Sequence, residues 1–81
     1  MKELLSQPDK RVVGAKQVLR ALEGGRAAHV FLGKDADGFI YHRINGLCEE
    51  KSVPVTVVDT MAELGKLCRV DVKTASAAVL K

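Results

Sequence analysis

Val12-Val13-Gly14-Ala15-Lys16-Gln17-Val18-Leu19-Arg20 decides the reading of this 81-residue chain. Two β-branched residues run into a glycine, and an apolar-periodic segment opens directly after it. That order reads as a strand, a tight turn and a helix start. A helix start leaves backbone N–H groups without intrahelical partners and carries the positive end of the helix dipole. It therefore draws anions, phosphate above all. At about 100° per residue, Lys16, Gln17 and Arg20 fall within roughly a 100° wedge of such a helix. Ala15, Val18, Leu19 and Leu22 repeat at i, i+3, i+4 and i+7 on the other side. The helix has a dry face and a donor-rich face, and Gly14 lets a ligand approach backbone that carries no Cβ. Lys16 and Arg20 are like charges one turn apart, a small cost that a negatively charged partner turns into attraction.

Outward from this stretch, strands alternate with helices. Residues 2 to 7 predict a short first helix ended near Pro8, and Lys10 to Val13 a short strand. The central helix runs from Gly14 to about Glu23, closed by Gly24-Gly25 as the left-handed C-terminal positions. His29 to Leu32 predict a strand. Lys34-Asp35-Ala36-Asp37-Gly38 read as a polar, helix-capping connection. Phe39 to about Lys51 predict a helix with Ile40, Ile44, Leu47 and Cys48 on one stripe. Pro54 to Val58 predict a buried strand. Thr60 and Glu63 have capping-box spacing for a helix to about Cys68, with Met61, Leu64 and Cys68 inward. Val70 to Ala75 predict a loop, and Ser76 to Leu80 a last strand. The expectation is an α/β fold, a three-layer α/β/α sandwich with a mixed sheet of about four strands. Residues 1–81 read as a single domain, with no tail expected beyond Lys81.

Composition narrows the function classes. The formal charge of +3 comes from 13 Lys and Arg against 10 Asp and Glu. That balance permits a localised nucleic-acid patch and argues against indiscriminate coating of RNA or DNA. No apolar run is long enough to span a membrane, and Met1 to Ser6 lack the apolar core of a secretory signal. Cys48 and Cys68 read as reduced, packed thiols of a cytoplasmic protein, the alternative being a disulfide that needs their helices to meet with the right geometry. Gly33-Lys34 lacks the flanking residues of a phosphate-binding P-loop, and Asp35-Ala36-Asp37-Gly38 fails calcium-loop spacing. His29 and His42 have no ligand partners at metal spacing, and no nucleophile elbow appears. The expectation is a non-enzyme without metal or cofactor.

Six segments occur in a telling order: Gly14-Ala15-Lys16-Gln17; Lys34-Asp35-Ala36-Asp37; Leu47-Cys48-Glu49-Glu50-Lys51-Ser52-Val53-Pro54; Glu63-Leu64-Gly65-Lys66; Val70-Asp71-Val72; and Ala75-Ser76-Ala77-Ala78-Val79. Together they resemble the kink-turn-binding ribosomal protein family of the L-seven-Ae type, particularly its small bacterial members, over nearly the whole chain. The resemblance implies an α/β/α protein that binds a sharply bent RNA internal loop with tandem sheared G·A pairs. It implies RNA-binding roles for Gly14, Lys16, Gln17 and Arg20 at the helix start, and for Val70, Asp71 and Val72 as a loop covering an extruded base. Lys34 is expected on the same side, meeting phosphate. The implied partner is structured RNA, in the ribosome or elsewhere, bound by a monomer. The chain departs from the family's usual residues: Lys16 and Gln17 stand where archaeal and eukaryotic relatives carry Asn and Glu, Arg20 where Lys is usual, Arg69 where Gly is common, and Asp71 where a longer residue is common. Those departures leave a second reading, a protein-interaction domain of the same fold that has lost RNA binding.

Overall fold

The last strand in sequence is central in space. β1 (Arg11–Val13), β2 (Ala27–Gly33), β3 (Val55–Val58) and β4 (Ser76–Leu80) stand in the order β1-β4-β2-β3. β4 runs antiparallel to both neighbours, with Val12 and Val30 on either side of Ala78. β2 and β3 pair in parallel, Val30 opposite Val55. The sheet is therefore mixed. These relations come from a computed structural model that describes residues 2–81. Met1, which opens the stretch read as lacking a signal's apolar core, lies outside them.

Three helices cover the sheet: α1 (Ala15–Glu23), α2 (Gly38–Glu50) and α3 (Met61–Leu67). Side chains alternate across a strand, so one sheet feeds two cores. Val30, Leu32 and Ala78 face Val18, Ala21 and Leu22 of α1 and Ile44 and Cys48 of α2. Phe31, Ala77 and Val79 face Leu64 of α3, Cys68 and Leu5. This is the expected three-layer sandwich. Ala77 and Ala78 are fully buried on opposite faces of the central strand, where small side chains leave room for packing from both layers.

Three local expectations need correction. The stretch from Pro54 to Val58 is not a buried strand. β3 begins at Val55, lies at the sheet edge with β2 as its one partner among the described residues, and exposes Thr56 and Val57. A β-branched run marks extended backbone and says nothing about which strand lies on its other side. Gly24 and Gly25 do not both take left-handed positions: Gly24 has φ −84°, and only Gly25, at +68°, is left-handed. The first helix is two short 3-10 segments, Lys2–Ser6 and Pro8–Lys10, with Pro8 opening the second. Arg11 holds this N-terminal region down, donating through Nε to Leu5 O and through Nη2 to Cys68 O.

The two thiols sit in separate cores on opposite sides of the sheet, and both are free. Burial pushes the Cys48 thiol up to about 11 and raises that of Cys68, the latter opposed by nearby Arg11. Both stay protonated and unreactive at neutral pH.

Candidate nucleic-acid interface

The topology gathers the sequence-predicted residues at one end of the sheet. β1, β2 and β3 all point the same way, so α1, α2 and α3 all start at that end, and β4 enters from it. Gly14 N–H donates to Ser76 O at 2.8 Å, Gly33 N–H to Ala75 O at 2.9 Å, and Lys34 N–H to Val58 O at 2.8 Å. With strands about 4.8 Å apart, Gly14, Ala75 and Gly33 stand in a row about 10 Å long. Lys34 therefore emerges two strands from the α1 start, and the loop from Val70 to Ala75 ends between them.

The α1 start is open. Gly14 takes φ +101° and ψ 147°, a conformation that L side chains rarely adopt. A Cβ there would meet nothing within 4 Å, so the reason for glycine is backbone conformation, with free space above it. The first intrahelical hydrogen bond is Val18 N–H to Gly14 O, and no side chain caps the N–H groups before it. Lys16, Gln17 and Arg20 are exposed, and none makes a side-chain hydrogen bond or ion pair among the described residues. Their helix carries no acidic residue in its first turn.

The neighbouring helix starts are closed. Asp37 Oδ1 accepts from Phe39 N–H at 3.0 Å and Ile40 N–H at 3.3 Å. Thr60 Oγ1 accepts from Glu63 N–H at 3.0 Å, and Asp35 Oδ1 accepts from Met61 N–H at 2.7 Å. The polar connection is thus a capping connection, as expected, and it serves two helices. Both its carboxylates face helix N–H groups, which offsets their negative charge beside the exposed Lys34.

The covering loop lies along α3. Val70 N–H donates to Gly65 O at 3.0 Å, and Thr74 N–H to Met61 O at 3.1 Å. Val70 is half-buried against the α3-side core, whereas Asp71 and Val72 are exposed, Val72 to 68%. Lys66 and Lys73 flank Val70, Asp71 and Val72 around a shallow hollow. Arg69, just before the loop, has φ +57°, the left-handed conformation that glycine would adopt without strain. Sequence reasoning missed one exposed group at this end: Phe39, 72% exposed in the first turn of α2, read only as the opening of a helix. His29 lies on the α3 face of β2, its Nε2 2.7 Å from Thr56 Oγ1, and burial lowers its pKa. His42 is exposed on α2. Among the described residues no group of His, Cys, Asp and Glu could hold a metal ion, and no helix is long and apolar enough to cross a membrane.

The fold and this end of the sheet define a class: small α/β/α sandwiches that present three loops and an uncapped helix start at one sheet end. Comparison with known proteins places the chain within that class. The model of the ribosomal protein L7Ae/L30e/S12e/Gadd45 family matches residues 2–81, and the chain belongs to that family. It is 46% identical over 71 residues to a protein of Caldanaerobacter subterraneus subsp. tengcongensis named as RNA-binding, covering 88% of this chain and 87% of that one. It is 42% identical over 79 residues to the RNA-binding protein YbxF of Geobacillus stearothermophilus, covering 98% and 96%. Among solved structures, the Giardia lamblia 15.5kD RNA binding protein superposes with a TM-score of 0.88 at 28% identity, covering 99% of this chain and 68% of that one. A Bacillus halodurans protein of unknown function shares the fold at a TM-score of 0.87 and 22% identity, covering 99% and 80%.

Proposed function

We propose that this protein binds structured RNA and selects the kinked form of an internal loop containing tandem sheared G·A pairs. A regular A-form helix hides its base edges in a deep, narrow major groove. A kink with non-Watson–Crick pairs opens that groove to a helix end. Lys16 then donates to guanine N7 and O6, the acceptors that match a cationic donor. Gln17 pairs with a guanine amino group or an adenine edge, having both a donor and an acceptor. Lys34 meets phosphate, Arg20 meets phosphate or a second guanine, Gly14 admits close approach of the backbone, and the loop of Val70, Asp71 and Val72 covers an extruded base. Binding only the kinked conformer shifts the RNA population toward it. The protein acts as a monomer in the cytoplasm, on ribosomal RNA or another structured RNA, and catalyses no reaction.

The observation that carries this reading is the α1 start, uncapped where α2 and α3 are capped and bearing three donors unpaired among the described residues, at the sheet end where Lys34 and the covering loop also emerge. The RNA-binding names of the two bacterial relatives support it. Phe39 favours the second reading, a protein-interaction domain, because an exposed aromatic at the same end also suits a protein partner.

The test is a titration at one fixed salt concentration against a kink-turn RNA and a variant whose G·A pairs are replaced by Watson–Crick pairs. Salt must be held because phosphate contacts make affinity steeply salt-dependent. Selective binding is expected, with Lys16→Ala and Gln17→Ala each weakening the kink-turn complex by about 1–3 kcal/mol and the control complex far less. Equal affinity for the two RNAs removes the proposal and leaves the protein-interaction reading.

A further inference from the structure

Two loops at the site end are fastened to the same helix turn. Asp35, one residue after Lys34, spans from the β2–α2 connection to accept Met61 N–H at 2.7 Å. Met61 O in turn accepts Thr74 N–H at 3.1 Å, at the close of the covering loop. Asp35, Met61 and Thr74 thus form one chain of hydrogen bonds linking Lys34 to the segment that carries Val72. Two glycines make the close approach possible. A Cβ on Gly33 would stand 2.7 Å from Met61 Cγ and 3.1 Å from Met61 Cα. A Cβ on Gly65 would collide with the backbone oxygen of Val72. α3 has its own cap in Thr60, so the Asp35 carboxylate supplies this short helix with a second acceptor from a distant part of the chain.

We infer that Asp35 is a positioning residue of the RNA site: through Met61 it holds Lys34 and the covering loop in one frame. This rests on the RNA reading above. It has a distinctive sign. Asp35 is an exposed carboxylate next to Lys34, which on the RNA reading meets phosphate. If its charge were its only influence, neutralising it would tighten RNA binding. As a latch it acts in the opposite direction, and an amide side chain, which keeps an acceptor oxygen, substitutes for it.

The experiment compares unaltered protein, Asp35→Ala and Asp35→Asn in the kink-turn titration at fixed salt, with backbone amide spectra of the free proteins. Asp35→Ala is expected to weaken kink-turn binding about fivefold and to shift or broaden the Val72 to Thr74 amides, with Asp35→Asn restoring most of both. Gly65→Ala, which displaces the loop from α3 without touching any charge, should reproduce the affinity loss and the loop shifts. If both Asp35 variants tighten binding, or if the loop amides stay in place in Asp35→Ala while the unaltered protein selects the kink-turn RNA, the latch is wrong and the RNA reading stands. If the unaltered protein does not select that RNA, the RNA reading falls, and the positioning role falls with it.

Discussion

The start of α1 and the starts of α2 and α3 are built from the same backbone and finished in opposite ways. α2 and α3 are closed by Asp37, Thr60 and Asp35, each oxygen taking up N–H groups that a helix leaves over. α1 begins at a glycine, has no side-chain acceptor, and places Lys16 and Gln17 where a capping acid would normally stand. An ordinary helix start is satisfied internally for stability. One left open gives up that stabilisation and keeps its donors for another molecule. On the proposed reading, the contrast lets a chain of modest net charge offer one helix start to an anion. Lys16, Arg20 and Lys34 make no ion pair among the described residues, while two nearby carboxylates, Asp35 and Asp37, already face helix N–H groups.

Converting the open start into a closed one should have the largest effect. Lys16→Glu places an acid in the first turn and turns a like-charge pair with Arg20 into an attractive one. Folding stability, read by urea unfolding, should rise by about 0.5–1 kcal/mol. In the same protein, affinity for kink-turn RNA should fall about tenfold or more. Stability and binding moving in the same direction would show that the α1 start is not held open for an anion.

Opening a closed start should do the reverse on a smaller scale. Asp37→Ala orphans the Phe39 and Ile40 N–H groups and should cost about 1 kcal/mol in unfolding free energy. RNA affinity should hold or improve slightly, because a carboxylate leaves the basic end. A clear loss of RNA affinity in this variant would mean that α2 contributes more to the site than its charge.

The smallest expected effect tests a departure from the family pattern. Arg69 occupies a left-handed position at φ +57°. Arg69→Gly relieves that strain, partly offset by the greater freedom of glycine in the unfolded chain, and should raise stability by about 0.5–1 kcal/mol. A thermal melt reads the change. A decrease would show that the Arg69 side chain contributes contacts worth more than the backbone strain.

Much of the architecture was legible because local physics dictates it. The glycine after Val12-Val13, the apolar spacing of Val18 and Leu22, and the Thr60–Glu63 pair each act within a few residues, and each appears in the structure where the periodicity and capping patterns indicate. The candidate residues at the α1 start were legible for the same reason. The order of strands was not. Val55-Thr56-Val57-Val58 has the stronger β composition yet lies at the edge, while Ser76-Ala77-Ala78-Val79-Leu80 lies at the centre, because neighbours on both sides and layers on both faces favour small side chains there.

Sequence alone therefore determined the four strands and the three helices between them, the capping of α2 and α3, and which side chains line the α1 start. Those properties depend on residues close together in the chain. The family resemblance put Lys34 on the side of the α1 start, but only the tertiary structure decided the strand order that brings both, with the loop before β4, to one end of the sheet. The same holds for Asp35, which caps a helix 26 residues away, and for Gly65, which makes room for Val72. Such juxtapositions arise from strand order and close packing, which bring together groups that no local pattern relates.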